Sequence, residues 1–187
     1  MPHRPKKSVE MKRPVRVKEM AAAVENALER FLLELPHDWH GKERDAVSRF
    51  VFGYLINECR RKTALYSPAQ IGIEIPVGKP RELRRKKKGS WKDVVIWQQP
   101  GMTAFNEKLI HTFAPSVVIE WKVRFKNGRP SRKFAEEIAH DHEWLAAFTS
   151  EHPHAVGYSV FLKSVESRTL EVTKFSNGKP HTTIWTG

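Results

Sequence analysis

The sequence predicts an α/β fold in which a mixed β-sheet is flanked by helices. Three segments repeat apolar residues at helical spacing, and the segments between and after them are short, β-rich and bounded by Pro or Gly. A chain of 187 residues suffices for one domain with a good core, but not comfortably for two. Hydrophobic residues make up 40% and charged residues 29%, which argues against a disordered, collagen-like or membrane protein.

The N-terminal segment differs from the rest of the chain. Residues 1–16 contain three prolines and no apolar period, so we expect a flexible basic arm. Residues 17–187 show no internal repeat or domain-sized linker and are expected to form a single domain. The chain holds no run of about 18 apolar residues, and its first twenty residues lack the apolar stretch of a signal peptide. We therefore expect a cytoplasmic protein without a membrane partner.

Three amphipathic helices are predicted from apolar residues that recur every three or four positions. The first runs from Val17 to Pro36, because a proline cannot continue the helix. The second follows a turn at 37–41 and ends near Arg61, and the third covers about Ser131–Thr149.

The strands are predicted from alternating or continuous runs of β-forming residues. The strongest run is nearly continuously apolar from Val117 to Ile119, which is typical of a central strand buried on both faces. Ser176-Asn177-Gly178 predicts a tight turn between the last two strands. The expected strands are Ile71–Val77, Asp93–Gln98, Ser116–Phe125, Val156–Lys163, Thr169–Lys174 and His181–Trp185.

The net charge of +12 is concentrated in two places. Residues 1–18 hold seven basic side chains and one acidic side chain, and residues 79–92 hold eight basic side chains and one acidic side chain. The rest of the chain is close to neutral. Focused positive charge attracts polyanions through counterion release, which predicts a nucleic-acid partner, although both segments also fit a solvated surface. The candidate phosphate contacts are Arg81, Arg84, Arg85, Lys86, Lys87, Lys88 and Lys92.

Two predicted strands carry the residues of a candidate catalytic centre. Glu120 and Lys122 lie two positions apart, and so on one face, at the end of an apolar run, while Asp93 opens another β-rich run. Burying such charges is costly unless they pair with each other or serve a function. If the two strands are adjacent, two carboxylates and a lysine converge. Carboxylates hold Mg²⁺ or Mn²⁺, the metal activates water, and an ammonium orients that water, as phosphodiester hydrolysis requires.

This arrangement resembles the PD-(D/E)XK nuclease superfamily, which has the restriction-endonuclease-like fold. The family order is a helix bearing Glu, a strand hairpin with Asp, a strand with (D/E)-x-K, a helix and a strand, and it agrees with the predicted order over about residues 41–163. The chain departs from the motif by having Lys92 where the family often has Pro before the Asp. The resemblance implies a Mg²⁺-dependent or Mn²⁺-dependent endonuclease, with DNA as the favoured substrate and RNA as the alternative. Such enzymes often dimerise to cut both strands, so it also implies a candidate homodimer.

The family's roles are carried over residue by residue. The resemblance implies that Asp93 and Glu120 are metal ligands and that Lys122 positions the attacking water. It assigns the helix glutamate, which adds to the metal shell, to Glu43 within Gly41-Lys42-Glu43-Arg44-Asp45. Glu58 also falls near the inward face of its helix and is the second choice.

Other interpretations remain open. Glu120 and Lys122 fit a plain salt bridge on an edge strand, and the basic patches fit a non-catalytic nucleic-acid-binding protein on the same fold, or an adaptor protein. Glu74 can approach the centre from a neighbouring strand, whereas Asp141 is expected to face solvent. Trp91, beside the basic segment, fits either the core or a base-stacking site. The histidine pairs of His140-Asp141-His142 and His152-Pro153-His154 lack a third zinc ligand.

Overall fold

The computed structural model describes residues 13–36, 38–83, 91–103, 113–124, 131–164 and 169–187. It confirms the α/β class, with a six-stranded mixed sheet and three α-helices in these ranges. No helix within them is long and apolar enough to cross a membrane. The helices are α1 (Arg13–Glu34), α2 (Glu43–Gly53) and α3 (Ser131–Glu151). The strands are β1 (Ile71–Pro76), β2 (Trp91–Ile96), β3 (Val117–Val123), β4 (Val156–Ser164), β5 (Thr169–Ser176) and β6 (Lys179–Thr186).

The six strands lie side by side in chain order. β3 and β4 are parallel, and every other neighbouring pair is antiparallel. A parallel pair needs a crossover connection, and α3 supplies it. Asn177 and Gly178, both at positive φ, form the predicted tight turn between β5 and β6.

One face of the sheet packs against α1 and α2 through aromatic side chains. Trp121 of β3 is fully buried, with its ring centroid 5.2 Å from that of Phe31 and 5.3 Å from that of Phe50. Phe31 also meets the ring of Tyr54 edge-on at 5.8 Å. These contacts explain why the apolar stripe of the first helix faces inward.

The opposite face of the sheet packs against α3, and its side chains change from apolar to charged along the strands. Val118 of β3 is buried in the same apolar cluster as Leu145 and Phe148 of α3. Two residues further along the same face, Glu120 is buried with only 5% of its surface exposed, and Lys92 of β2 is buried to the same extent. The candidate site lies where these charged side chains replace the apolar ones.

The start of the first helix differs from the prediction. α1 begins at Arg13, so residues 13–16 are helical rather than part of a flexible arm. Pro14 is compatible with this start because the first turn of a helix needs no N–H partner. Residues 1–12 and the basic segment 84–90 lie outside the described residues.

Among the other boundaries that differ, two concern predicted site residues. α2 ends at Gly53 and is followed by a 3₁₀ helix at Leu55–Glu58, instead of continuing to about Arg61. β2 begins at Trp91, two residues before the predicted start at Asp93. Asp93 therefore lies inside its strand rather than at the strand's entrance.

Candidate active site

A backbone irregularity controls which side chains reach the site. Glu74 of β1 has φ of 50°, and the pairing of β1 with β2 skips Glu74 and Asp93. Ile73 packs on the α1–α2 side of the sheet, but Ile75 packs on the α3 side. Strict alternation along β2 would place Lys92 on the α1–α2 side, yet Lys92 lies on the α3 side.

Asp93 lies where β2 and β3 stop pairing. The last residue pair of this ladder is Val94 with Ile119. Beyond it, Oδ2 of Asp93 accepts a hydrogen bond from the backbone N–H of Trp121 at 2.7 Å. Burial raises the pKa of Asp93, and this hydrogen bond and the nearby Lys122 only partly oppose the shift. The side chain thus takes the place of a ladder contact and is held against β3.

Glu120 is paired with an unexpected lysine. The Nζ of Lys92 donates a hydrogen bond to Oε1 of Glu120 and lies 3.7 Å from the ring centroid of Trp144 on α3. An ammonium so close to an indole face is a cation–π contact. Burial raises the pKa of Glu120 to about 8, because the attraction of Lys92 does not offset desolvation and the repulsion from Asp93 and Asp141.

Lys122 is held by three oxygen atoms. Its Nζ donates to the carbonyl oxygen of Trp121 at 2.8 Å, lies 3.2 Å from Oδ2 of Asp141, and lies 3.5 Å from Oε1 of Glu43. Burial alone would lower the pKa of Lys122, but these carboxylates raise it above its usual value. Lys122 therefore keeps its proton at any physiological pH.

We call these side chains the charged cluster: Glu43, Asp93, Glu120, Asp141, Lys92 and Lys122. The structure brings together all four residues predicted for the catalytic centre and adds two others. Glu43 reaches it from the first turn of α2, Asp93 and Lys92 from β2, Glu120 and Lys122 from β3, and Asp141 from α3.

The charged cluster suits a divalent cation in charge and donor chemistry. Its four carboxyl groups outnumber its two ammonium groups, and carboxylate oxygens are the ligands that Mg²⁺ and Mn²⁺ prefer. Oδ2 of Asp141 is buried without a well-directed hydrogen bond. However, no group of three or more His, Cys, Asp or Glu side chains in the described ranges is arranged to hold a metal ion as it stands. Oε1 of Glu120, one oxygen that an ion would use, is occupied by Lys92.

Of the predicted phosphate contacts, the structure describes Lys92 and Arg81. Lys92 is buried in the charged cluster and does not present its ammonium to solvent, contrary to the expectation. The backbone N–H of Arg81 donates to Glu151 at 2.8 Å, and its guanidinium lies 3.6 Å from the same carboxylate. Glu151 ends α3, ten residues and about 15 Å along the helix from Asp141. The remaining predicted contacts lie outside the described residues: Arg84, Arg85, Lys86, Lys87 and Lys88.

The secondary candidates lie elsewhere. Glu58 is 3.7 Å from Arg30 of α1, so it is not the helix glutamate that reaches Lys122. Glu74 bonds to Nε of Arg44 at 2.8 Å. Trp91 is 65% exposed at the start of β2 and does not belong to the core.

Asp141 corrects the expectation that it faces solvent. Its side chain is only 14% exposed and contacts Lys122. The sequence held a signal for this position, because Asp141 lies three residues after Ile138 and four before Leu145, on the helix's own apolar stripe. A carboxylate on a buried stripe needs a partner, and Lys122 is that partner.

Comparison of the chain with models of known protein families, with curated proteins and with solved structures finds no match. The inference of function therefore starts from the charged cluster: carboxyl groups from four elements, a lysine that stays protonated, and a second lysine bonded to Glu120.

Proposed function

We propose that this protein is a metal-dependent nuclease of the PD-(D/E)XK type that hydrolyses phosphodiester bonds in DNA. The observation that carries the proposal is the meeting of Asp93 and Glu120, from neighbouring strands, with Lys122 and Glu43 in the charged cluster. The element order supports it as well: a helix bearing Glu43, a hairpin containing Asp93, the strand with Glu120 and Lys122, then a helix and a parallel strand.

The carboxylates would hold the metal ion. Asp93 is oriented by the Trp121 N–H, and Glu43 reaches the charged cluster from α2, so three chain segments supply the ligands Asp93, Glu120 and Glu43. When bound, Mg²⁺ or Mn²⁺ polarises the scissile phosphate and lowers the pKa of a bound water.

Lys122 acts by position and charge. A general base must lose its proton near neutral pH, and the carboxylates that raise the pKa of Lys122 oppose that role. Its contacts with Trp121, Asp141 and Glu43 fix the ammonium in advance, so little reorganisation is needed when charge develops on the phosphate. Lys122 thus orients the attacking water and offsets negative charge in the transition state.

The substrate would approach from the side of Trp91. This exposed indole stands two residues before Asp93 and directly follows the basic segment. Aromatic faces stack on bases and lysine and arginine side chains neutralise phosphates, so this part of the chain suits a nucleic-acid strand leading to the charged cluster.

The test is a cleavage assay on duplex, flap and single-stranded DNA. With Mg²⁺ or Mn²⁺ the protein is expected to cut at least one substrate, and EDTA is expected to stop it. Asp93→Ala and Glu120→Ala should each abolish cutting, and Lys122→Ala should slow it roughly 10²-fold or more. Lys133→Ala is the matched control, because Lys133 is exposed on α3. Cutting that survives all three site substitutions would contradict the proposal.

The second candidate is a nucleic-acid-binding protein without catalysis, which is favoured by the bond between Lys92 and Glu120. It predicts salt-dependent DNA binding without cutting on any substrate or with any divalent metal. Replacing residues 84–88 with Ser should then flatten the salt dependence, by about 0.9 in the log–log slope for each lost phosphate contact on duplex DNA.

A further inference from the structure

We infer that Lys92 occupies the position at Glu120 that a divalent cation would take, and that it must leave this carboxylate before a metal ion can bind there. The inference rests on the proposed metal dependence, but it concerns a lysine that the family resemblance does not assign to the catalytic centre. Lys92 replaces the Pro that often precedes the motif Asp, so this competition is a property of this chain.

The contacts of Lys92 are those of an internal counter-ion. Its Nζ is buried between Oε1 of Glu120 and the ring of Trp144. Without this positive charge, Glu120 would lie next to Asp93 and Asp141 with no cation bonded to it, because the Nζ of Lys122 is held by Trp121, Asp141 and Glu43 instead. The ammonium of Lys92 is thus the cation bonded to Glu120, whereas Lys122 lies against Asp141 and Glu43.

The irregularity at Glu74 makes this arrangement possible. It turns Lys92 onto the α3 face, whereas ordinary alternation would bury its ammonium among the aromatic rings on the α1–α2 side. The flexible four-carbon stem of lysine allows the ammonium to leave without moving the strand. A released Lys92 stands next to exposed Trp91 and the basic segment, where a phosphate is expected.

Direct metal binding tests the inference without relying on cleavage. Mn²⁺ is titrated against the wild type, Lys92→Met and the control Lys133→Met, and free Mn²⁺ is measured by electron paramagnetic resonance. Methionine keeps an unbranched side chain that is one atom shorter and removes the charge. We expect Lys92→Met to bind Mn²⁺ at least about tenfold more tightly than the wild type, and Lys133→Met to bind as the wild type does.

The outcomes separate this inference from the proposed nuclease activity. If Lys92→Met binds Mn²⁺ more tightly and the wild type cuts no DNA, the result supports the inference and counts against the nuclease. Metal-dependent cutting with the same or weaker Mn²⁺ affinity in Lys92→Met overturns the inference and leaves the nuclease standing. No Mn²⁺ binding by any form overturns the inference together with the metal dependence.

A second measurement uses the wild-type fold, in case Lys92→Met does not fold. Displacing Lys92 removes the ammonium from the face of Trp144, so Mg²⁺ should change the fluorescence of this indole. The change is expected in the wild type and should be lost in Trp144→Phe, while Trp91→Phe, which removes an exposed indole, should keep it. An identical Mg²⁺ response in the wild type and Trp144→Phe, or no response in either, would overturn the inference.

Discussion

On the α1–α2 side of the sheet, Trp121 is buried among the rings of Phe31 and Phe50, whereas on the α3 side its neighbours Glu120 and Lys122 lie among charged groups. Adjacent residues of β3 therefore lie in different environments, one aromatic and the other charged. Burial of aromatic rings stabilises a fold, but a buried ion pair adds little net stability because both charges lose hydration. We therefore expect the α1–α2 side to supply most of the stability and the charged cluster to add little.

The largest expected effect is a loss of stability on the aromatic side. Phe31→Ala removes a fully buried ring that contacts Phe50, Tyr54 and Trp121, so the free energy of unfolding should fall by about 3–5 kcal/mol in urea denaturation. Leu33→Ala is the control, because Leu33 lies on the same helix and is 55% exposed; it should change stability by about 0.5 kcal/mol or less. Similar losses in both variants would contradict the assignment of the core.

The charged cluster should instead make stability depend on pH. The pKa of Glu120 is raised from 4.5 to about 8 on folding, so the folded state holds this proton more tightly than the unfolded state. The resulting stabilisation is fully present below about pH 4.5 and is lost as the pH rises through about 8. We expect the free energy of unfolding, measured in urea, to fall by at least about 1.4 kcal/mol across this window, the value of one pKa unit.

Glu120→Gln checks the source of this pH dependence. The amide has nearly the same shape and does not titrate in this range, so the decline between about pH 5 and 8 should be smaller in the variant. A decline of the same size in Glu120→Gln and the wild type would show that other groups cause it.

The smallest expected effect on stability comes from Asp141→Asn. Lys122 keeps Glu43 and the Trp121 carbonyl as partners, and the variant relieves repulsion on Asp93 and Glu120, so stability should change by no more than about 1 kcal/mol. If the protein cuts DNA, the single-turnover rate should nevertheless fall on the order of tenfold, because the ammonium loses a partner that orients it.

Glu136→Gln is the matched control on α3, since Glu136 is exposed and pairs with Arg132 within the helix. It should leave both stability and rate unchanged. If Asp141→Asn destabilised the protein as strongly as Phe31→Ala does, the contrast between the two sides of the sheet would fail.

The sequence predicts the helices, the strands and the faces of strand residues, because these depend on patterns among neighbouring residues. Apolar residues at helical spacing predict the three α-helices of the described ranges, and β-forming runs predict their six strands, because burial of one helix face or one strand acts along a continuous stretch of sequence. Alternation likewise placed Glu120 and Lys122 on one face of β3, opposite Trp121. The meeting of Asp93 and Glu120 depends on the adjacency of β2 and β3, which the sheet order shows and no sequence period specifies.

The partners within the charged cluster needed the tertiary structure. Sequence alone determined that Glu120 and Lys122 share a face, since that follows from the period of a strand. It could not assign Lys92 to Glu120, because the irregularity opposite Asp93 reverses the face on which Lys92 lies. Nor did it identify Asp141 as the partner of Lys122, because the meeting of a helix residue with a strand residue depends on how α3 packs across the sheet, which no local period encodes.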